Sequence, residues 1–180
     1  MEAIGLVGLT FRSSGADAVA RFTVAREQRG ETAAKLAAEL GVAELVYLAT
    51  CNRVEVIYRE RDGRRAADRR RDVYRVLTGR EAQPGEAEHL LRGWQGEGAV
   101  EHLFVVAAGL DSAQLGEREI QGQLRDALDS ARAAGTAGAP LGLLGRLVEE
   151  ALRVAHQIHR ASGLGDGRVS LAEIAADHLL

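Results

Sequence analysis

In the first half of the chain apolar residues gather in short runs; in the second half they recur every three or four positions. Residues 3–9 (AIGLVGL) form a continuous apolar run, the mark of a buried strand. Residues 10–29 are irregular, with a Ser-Ser-Gly turn at positions 13–15. Residues 31–40 have helical composition, closed by Gly41 as a C-terminal cap. Residues 45–49 read as a strand, Cys51 and Asn52 as a tip, and residues 53–59 as the return strand with Val54, Val56 and Tyr58 on one face. The tip lacks the glycine usual in a tight hairpin. Residues 64–77 predict a helix ending before Gly79, and residues 88–94 a weaker strand. Strand, helix, strand, strand, helix, strand is the order of a split βαβ, ferredoxin-like antiparallel sheet.

From Gly98 onward the pattern is helical. Val100, Leu103, Phe104 and Ala107 give one apolar stripe, stopped by Gly109, and residues 120–134 give a second helix before a loop at 135–140. Leu144, Leu147, Val148, Ala151, Leu152, Ala155 and Ile158 mark a third. Residues 163–167 break it, and residues 170–180 start a fourth. The expected class is α+β: a sheet subdomain over 1–96, an all-helical subdomain over 97–160, and a linker with the start of a connecting helix over 161–180.

Composition narrows the function classes. At 180 residues and 46% hydrophobic the chain can bury one good core or two small ones. Its single cysteine rules out an internal disulfide and fits a reducing compartment. Aromatics are scarce at 4%, so stacking on bases is not a leading feature, and a net charge of −3 exerts no global pull on nucleic acid. No apolar run approaches the roughly 20 residues of a membrane span, and residues 1–10 lack the basic leader of a secretion signal. A cytoplasmic protein without membrane contact is expected.

The lone thiol, Cys51, sits at a polar tip beside Thr50, Asn52 and Arg53. It is either a nucleophile or a structural cysteine, since free cysteines are among the most buried residue types. Nine arginines fall within residues 59–80; they either meet phosphates or pair locally on a solvated helix face. His156 and His159 are three apart on one helix without a third ligand, so no metal site is expected. The glycines at 163–167 follow a helix rather than a strand and fail the context of a dinucleotide fingerprint, as do the other glycine clusters. A turn after the His102 helix carries Asp111, Ser112 and, past Leu115-Gly116, Glu117. These polar groups either cap helix ends or serve a site.

Two blocks carry a resemblance: TCNRVEV at 50–56, and HLF, AAGLDS, LGE and GQ distributed over 102–123. Together, at this spacing, they resemble glutamyl-tRNA reductase, in its N-terminal catalytic region, over nearly the whole chain. The family pattern is departed from at residues 10–12, at Val105, at Ala113 and at Arg118 and Gln121. The resemblance implies NADPH-dependent reduction of glutamyl-tRNA to glutamate-1-semialdehyde, the first step of tetrapyrrole (porphyrin) biosynthesis. Cys51 is then the nucleophile that takes the glutamyl group as a thioester, and His102 a second catalytic residue that assists proton transfer. Thr50, Asn52, Arg53, Ser112, Glu117 and Gln123 are the implied substrate-binding residues, with Arg53 reading the side-chain carboxylate by a bidentate pair. Arg53 and His102 are also the cations expected to favour the thiolate.

The resemblance further implies that NADPH binds a domain beyond Leu180, so that this chain is a truncated catalytic part. It implies a homodimer for the longer form and a downstream aminomutase as a partner. Two rival readings stand beside it: a non-catalytic RNA-binding or regulatory module with a structural Cys51, and a cysteine hydrolase of aminoacyl esters. Thiol reactivity separates the first rival, since a buried thiol alkylates slowly.

Overall fold

Four strands form one antiparallel sheet in the computed structural model, which describes residues 1–63, 65–112, 115–138 and 142–163. They are β1 (Ile4–Thr10), β2 (Glu44–Ala49), β3 (Arg53–Arg59) and β4 (Arg92–Gln95), in the order β2-β3-β1-β4. This is the split βαβ arrangement that the element order predicts. Val7 lies opposite Val56, and Tyr47 opposite the same residue on the far side.

Side chains alternate across a strand; β1 and β2 are buried on both faces, which is why they read as near-continuous apolar runs, while β4 is largely exposed. Ile4, Leu6, Val46, Leu48 and Ile57 share one core; Val7, Leu9, Leu45, Tyr47, Val54, Val56 and Tyr58 share the other. The second core is closed by α2 (Ala16–Phe22), α3 (Arg29–Leu40) and α4 (Arg70–Thr78). The first is closed by α6 (Glu97–Ala107), α7 (Glu119–Ala133) and α8 (Leu143–Ser162). Two short helices, α1 (Phe11–Ser14) and α5 (Glu86–Leu90), fill the connections.

Several expectations change. The stretch after β1 is not irregular: Thr10 and Ser13 form a reciprocal capping box that starts α1, and α2 follows. The helix expected over 64–77 begins only at Arg70, where Asp68 Oδ1 accepts from the Arg70 N–H. The strand expected over 88–94 is divided: α5 takes its first part, and pairing with β1 starts at Arg92. The helix expected over 170–180 and most of the 163–167 break lie outside the described residues, apart from Gly163, whose φ of 64° caps α8.

The helices beyond α5 are fastened to the sheet by one buried carboxylate. Glu44 accepts from the N–H groups of Leu143 (3.3 Å) and Leu144 (2.6 Å) at the start of α8, and pairs with Arg59 Nε at 2.7 Å. A carboxylate there satisfies orphan donors and meets the positive end of the helix. Among the described residues no helix is long and apolar enough to cross a membrane.

Candidate active site

The turn between β2 and β3 is built by Thr50 in place of a glycine. Its Oγ1 accepts from the N–H groups of Asn52 and Arg53, each at 3.1 Å, while its own N–H donates to the Arg53 carbonyl at 2.9 Å. This side-chain turn pushes Cys51 outward, and the thiol is exposed. A second turn faces it. After α6, Gly109 adopts φ 71°, and a Cβ there would lie 2.7 Å from the Glu117 carbonyl. Glycine therefore lets the Gly116–Glu117 backbone close on it, with the Gly116 N–H donating to the Gly109 carbonyl at 2.9 Å.

Between these turns lies a cleft of about 10 Å³ lined by Thr50, Cys51, Asn52, Arg53, Ser112, Glu117, Ile120 and Gln123. Seven of the eight candidate residues named from the sequence meet there. The cleft holds about one water-sized group, enough for a carbonyl oxygen and too little for a whole substrate. Larger spaces flank it. One, of about 680 Å³, is shared with Thr50, Cys51 and Gln123 and extends under α2 and the start of α3. The other, of about 430 Å³, is lined by Thr10, Glu55, Arg92, Trp94, His102 and Asp111 among others.

His102 is the candidate that lies apart. Its Nε2 bonds Glu55 Oε1 at 3.0 Å, and its ring stacks on Trp94 at 3.8 Å between centroids and 16° between planes. Arg53 is not a free cation either. Only 3% of its side chain is exposed; one nitrogen donates to Glu55 Oε1 at 2.8 Å, the other to Asp111 Oδ2 at 3.1 Å and to the Asp111 carbonyl. Both cations expected to act beside the thiol are thus tied to Glu55. The reason is the strand period: residues 53 and 55 point to the same face, toward α6.

Glu55 lies within the TCNRVEV block, yet sequence reasoning gave it no role as the partner of Arg53 and His102, nor Trp94 its place against the His102 ring, while Asp111, named in the turn after α6, pairs with Arg53. The signal for Glu55 was a charged residue inside an otherwise apolar strand. Space for it exists because residue 8 on β1 is glycine; a Cβ there would come within 2.8 Å of Glu55 Cγ. Burial alone would raise the Glu55 carboxyl, but the hydrogen bond and charge of His102, then those of Arg53, hold it below its usual 4.5. Glu117 moves the other way: burial, with the neighbouring Glu119, lifts its carboxyl above the ordinary range against the pull of Arg53.

The arginine run resolves into local pairs. Arg59 meets Glu44, Arg65 meets Glu2, Arg69 meets Glu60, Arg70 meets Asp68, Arg71 meets Glu88, Arg75 meets Glu39 and Arg80 meets Glu86. Arg61 donates to the Gly41 carbonyl, and Arg64 lies outside the described residues. On the α8 face, His156 is exposed while His159 is buried with Nε2 2.9 Å from the Ala108 carbonyl.

Comparison with known proteins gives one answer. The family described as "Glutamyl-tRNAGlu reductase, N-terminal domain" matches residues 7–162. A glutamyl-tRNA reductase of Micrococcus luteus is 41% identical over 157 residues, covering 86% of this chain and 34% of its own length. One of Solidesulfovibrio magneticus is 36% identical over 178 residues, covering 98% of this chain and 38% of its own length. Among solved structures, glutamyl-tRNA reductase from Methanopyrus kandleri superposes with a TM-score of 0.75 at 26% identity, covering 99% of this chain and 39% of that one. The chain spans little more than a third of the length of these relatives.

Proposed function

The chain belongs to the family of glutamyl-tRNA reductase N-terminal domains, and from that premise we propose that it carries out the acyl-transfer half of glutamyl-tRNA reduction. What supports this reading is the meeting of Cys51 with six expected substrate-binding residues in one cleft, with the thiol exposed. Cys51 attacks the ester carbonyl of glutamyl-tRNA. A C–S bond forms, the C–O bond to the ribose breaks, and the thiol proton ends on the released ribose hydroxyl. The product is a glutamyl thioester on Cys51 and free tRNA.

The narrow cleft takes the reacting carbonyl. Thr50, Asn52, Ser112, Glu117 and Gln123 supply polar contacts to it, and the glutamyl chain extends toward Arg53. For Arg53 to read the side-chain carboxylate, that group takes the place of the Asp111 side chain, which is 40% exposed and so the exchangeable partner. The Glu55 bond is buried and stays. His102, fixed by Glu55 and Trp94, serves proton transfer at the acyl group from the neighbouring cavity.

Reduction of the thioester to glutamate-1-semialdehyde, the first step toward tetrapyrroles, requires NADPH. The described residues do not make a dinucleotide site. The sheet is antiparallel, and the β1–α1 turn carries no glycine. No step in this chain is therefore assigned to the cofactor, whose expected place is a domain outside it. The homodimer, an aminomutase partner, a cytoplasmic setting and the subdomain division at residue 97 belong to the same proposal.

Incubation with glutamyl-tRNA labelled in the glutamyl group tests it. Label should join the protein through a hydroxylamine-sensitive bond and be absent from Cys51→Ser. Equal labelling of the variant overturns the assignment and leaves the non-catalytic RNA-binding reading.

A further inference from the structure

The 680 Å³ cavity beside Cys51 is not used by the acyl-transfer step as described, and its chemistry is uneven. Val19, Ala20, Val24 and Ala49 make apolar walls. Two arginines line it. Arg26 is tied to Asp126 at 2.8 Å, which also pairs the one carboxylate of the lining. Arg29 is different: among the described residues no group accepts a hydrogen bond from its side chain. Arg29, half-buried and lining the cavity with no carboxylate paired to it among the described residues, leaves uncompensated positive charge beside that space. Arg29 also opens α3, a twelve-residue helix whose N-terminal end adds positive potential beside the same space.

Building on the acyl-transfer reading, we propose that this cavity is the subsite for the 3′-terminal nucleotide of the tRNA. Arg29 binds the phosphate on the 5′ side of that nucleotide; the base and ribose lie on the apolar walls. Three features support it. The ester oxygen and the 5′-phosphate stand at opposite ends of the terminal ribose, so one nucleotide can span from Cys51 to Arg29. A volume of about 680 Å³ accommodates on the order of twenty non-hydrogen atoms at about 30 Å³ each, close to a nucleotide and well beyond a glutamyl group. Arginine is the side chain best suited to phosphate, and walls of small apolar residues accept a base face without selecting its edge.

The experiment compares wild type, Arg29→Gln and Arg29→Lys with two acyl donors and one protecting ligand. The donors are glutamyl-tRNA and the ethyl ester of glutamate at its α-carboxyl, which has no nucleotide. Adenosine 5′-monophosphate should slow alkylation of Cys51 by iodoacetamide in the wild type. Arg29→Gln should weaken that protection about tenfold and Arg29→Lys by less. Transfer of label from glutamyl-tRNA should fall in parallel in Arg29→Gln, and transfer from the ethyl ester should not change. Equal loss with both donors would mean that Arg29 reads the glutamyl carboxylate and overturns the nucleotide assignment. Absent protection, or protection indifferent to Arg29→Gln, overturns it as well. If wild type accepts label from neither donor, the acyl-transfer reading fails, while the protection arm still decides the subsite.

Discussion

Replacing Arg53 by alanine should cost the fold more than it costs any contact with substrate. Glu55 is 2% exposed and accepts from Arg53 at 2.8 Å and from His102 at 3.0 Å, both on Oε1; its Oε2 is buried without a partner. Unit charges about 4 Å apart attract by about 4 kcal/mol at an effective dielectric near 20. The Asp111 contact adds less, because water screens a half-exposed carboxylate. Removing the guanidinium leaves a buried carboxylate with one hydrogen bond, and breaking a buried pair in this way costs about 3–5 kcal/mol. Loss of activity in Arg53→Ala would therefore not reveal a role in substrate recognition.

Acidity separates the two effects. The Glu55 carboxyl is held below its ordinary value in the fold despite its burial. A carboxyl lowered on folding contributes stability above its unfolded value and loses it as the pH falls through the folded one. Alanine at position 53 removes one of the influences that lower Glu55. The destabilisation should thus be largest near pH 7 and shrink as the pH drops below about 4. Urea denaturation of wild type, Arg53→Ala, Glu55→Gln and the double variant at both pH values measures it. In the double variant no buried charge is stranded, so the two losses should be non-additive by about 2 kcal/mol or more. A loss under about 1 kcal/mol in Arg53→Ala, an equal loss at both pH values, or strict additivity refutes the reasoning.

Glu44→Ala should lower stability by about 2–3 kcal/mol, since two α8 N–H groups and Arg59 lose a charged acceptor; thermal unfolding measures it, and a shift within error would mean that water replaces the carboxylate. Neutralising Arg71 and Arg75 to glutamine should leave the salt dependence of tRNA binding unchanged, because both are already paired with glutamates. A log–log slope reduced by about one unit or more would return them to the tRNA contact surface.

The sheet was legible because β1 and β2 are apolar on both faces, β3 alternates, and the turns are spaced for the split βαβ order. The missed elements are short and lean on local polar chemistry: α1 rests on one Thr–Ser capping box, and α5 is a single turn after Gly85. A window of hydrophobic periodicity cannot register five residues. At the site, the motifs led to the lining of the cleft, but not to what each side chain is bonded to. Arg53 and His102 look like available cations in a linear reading. Their shared partner Glu55 became visible only when β1 and β3 were paired, since its room is made by Gly8 on the neighbouring strand. Cys51 and Arg53, two residues apart, do not share a strand face, because Cys51 stands in the turn before β3 begins.

That break in parity organises the site. Inside β3 the alternation is strict: Arg53, Glu55 and Ile57 face α6, while Val54, Val56 and Tyr58 face α3. Cys51, outside the strand, borders the space under α2 and the start of α3, while the side chain two positions later turns to the opposite layer. One short motif therefore reaches both cavities, Cys51 lining one and Glu55 the other. On the proposed acyl-transfer reading, the substrate carries a long polynucleotide on one side of its ester and a small charged acyl group on the other. On the proposed acyl side Arg53 is already paired with Glu55 and Asp111, so on that reading the glutamyl carboxylate enters by displacing Asp111. The other side offers apolar walls and an unpaired arginine. The asymmetry of the two cavities matches the asymmetry of an aminoacyl ester, and it would be lost if residue 51 lay within the strand.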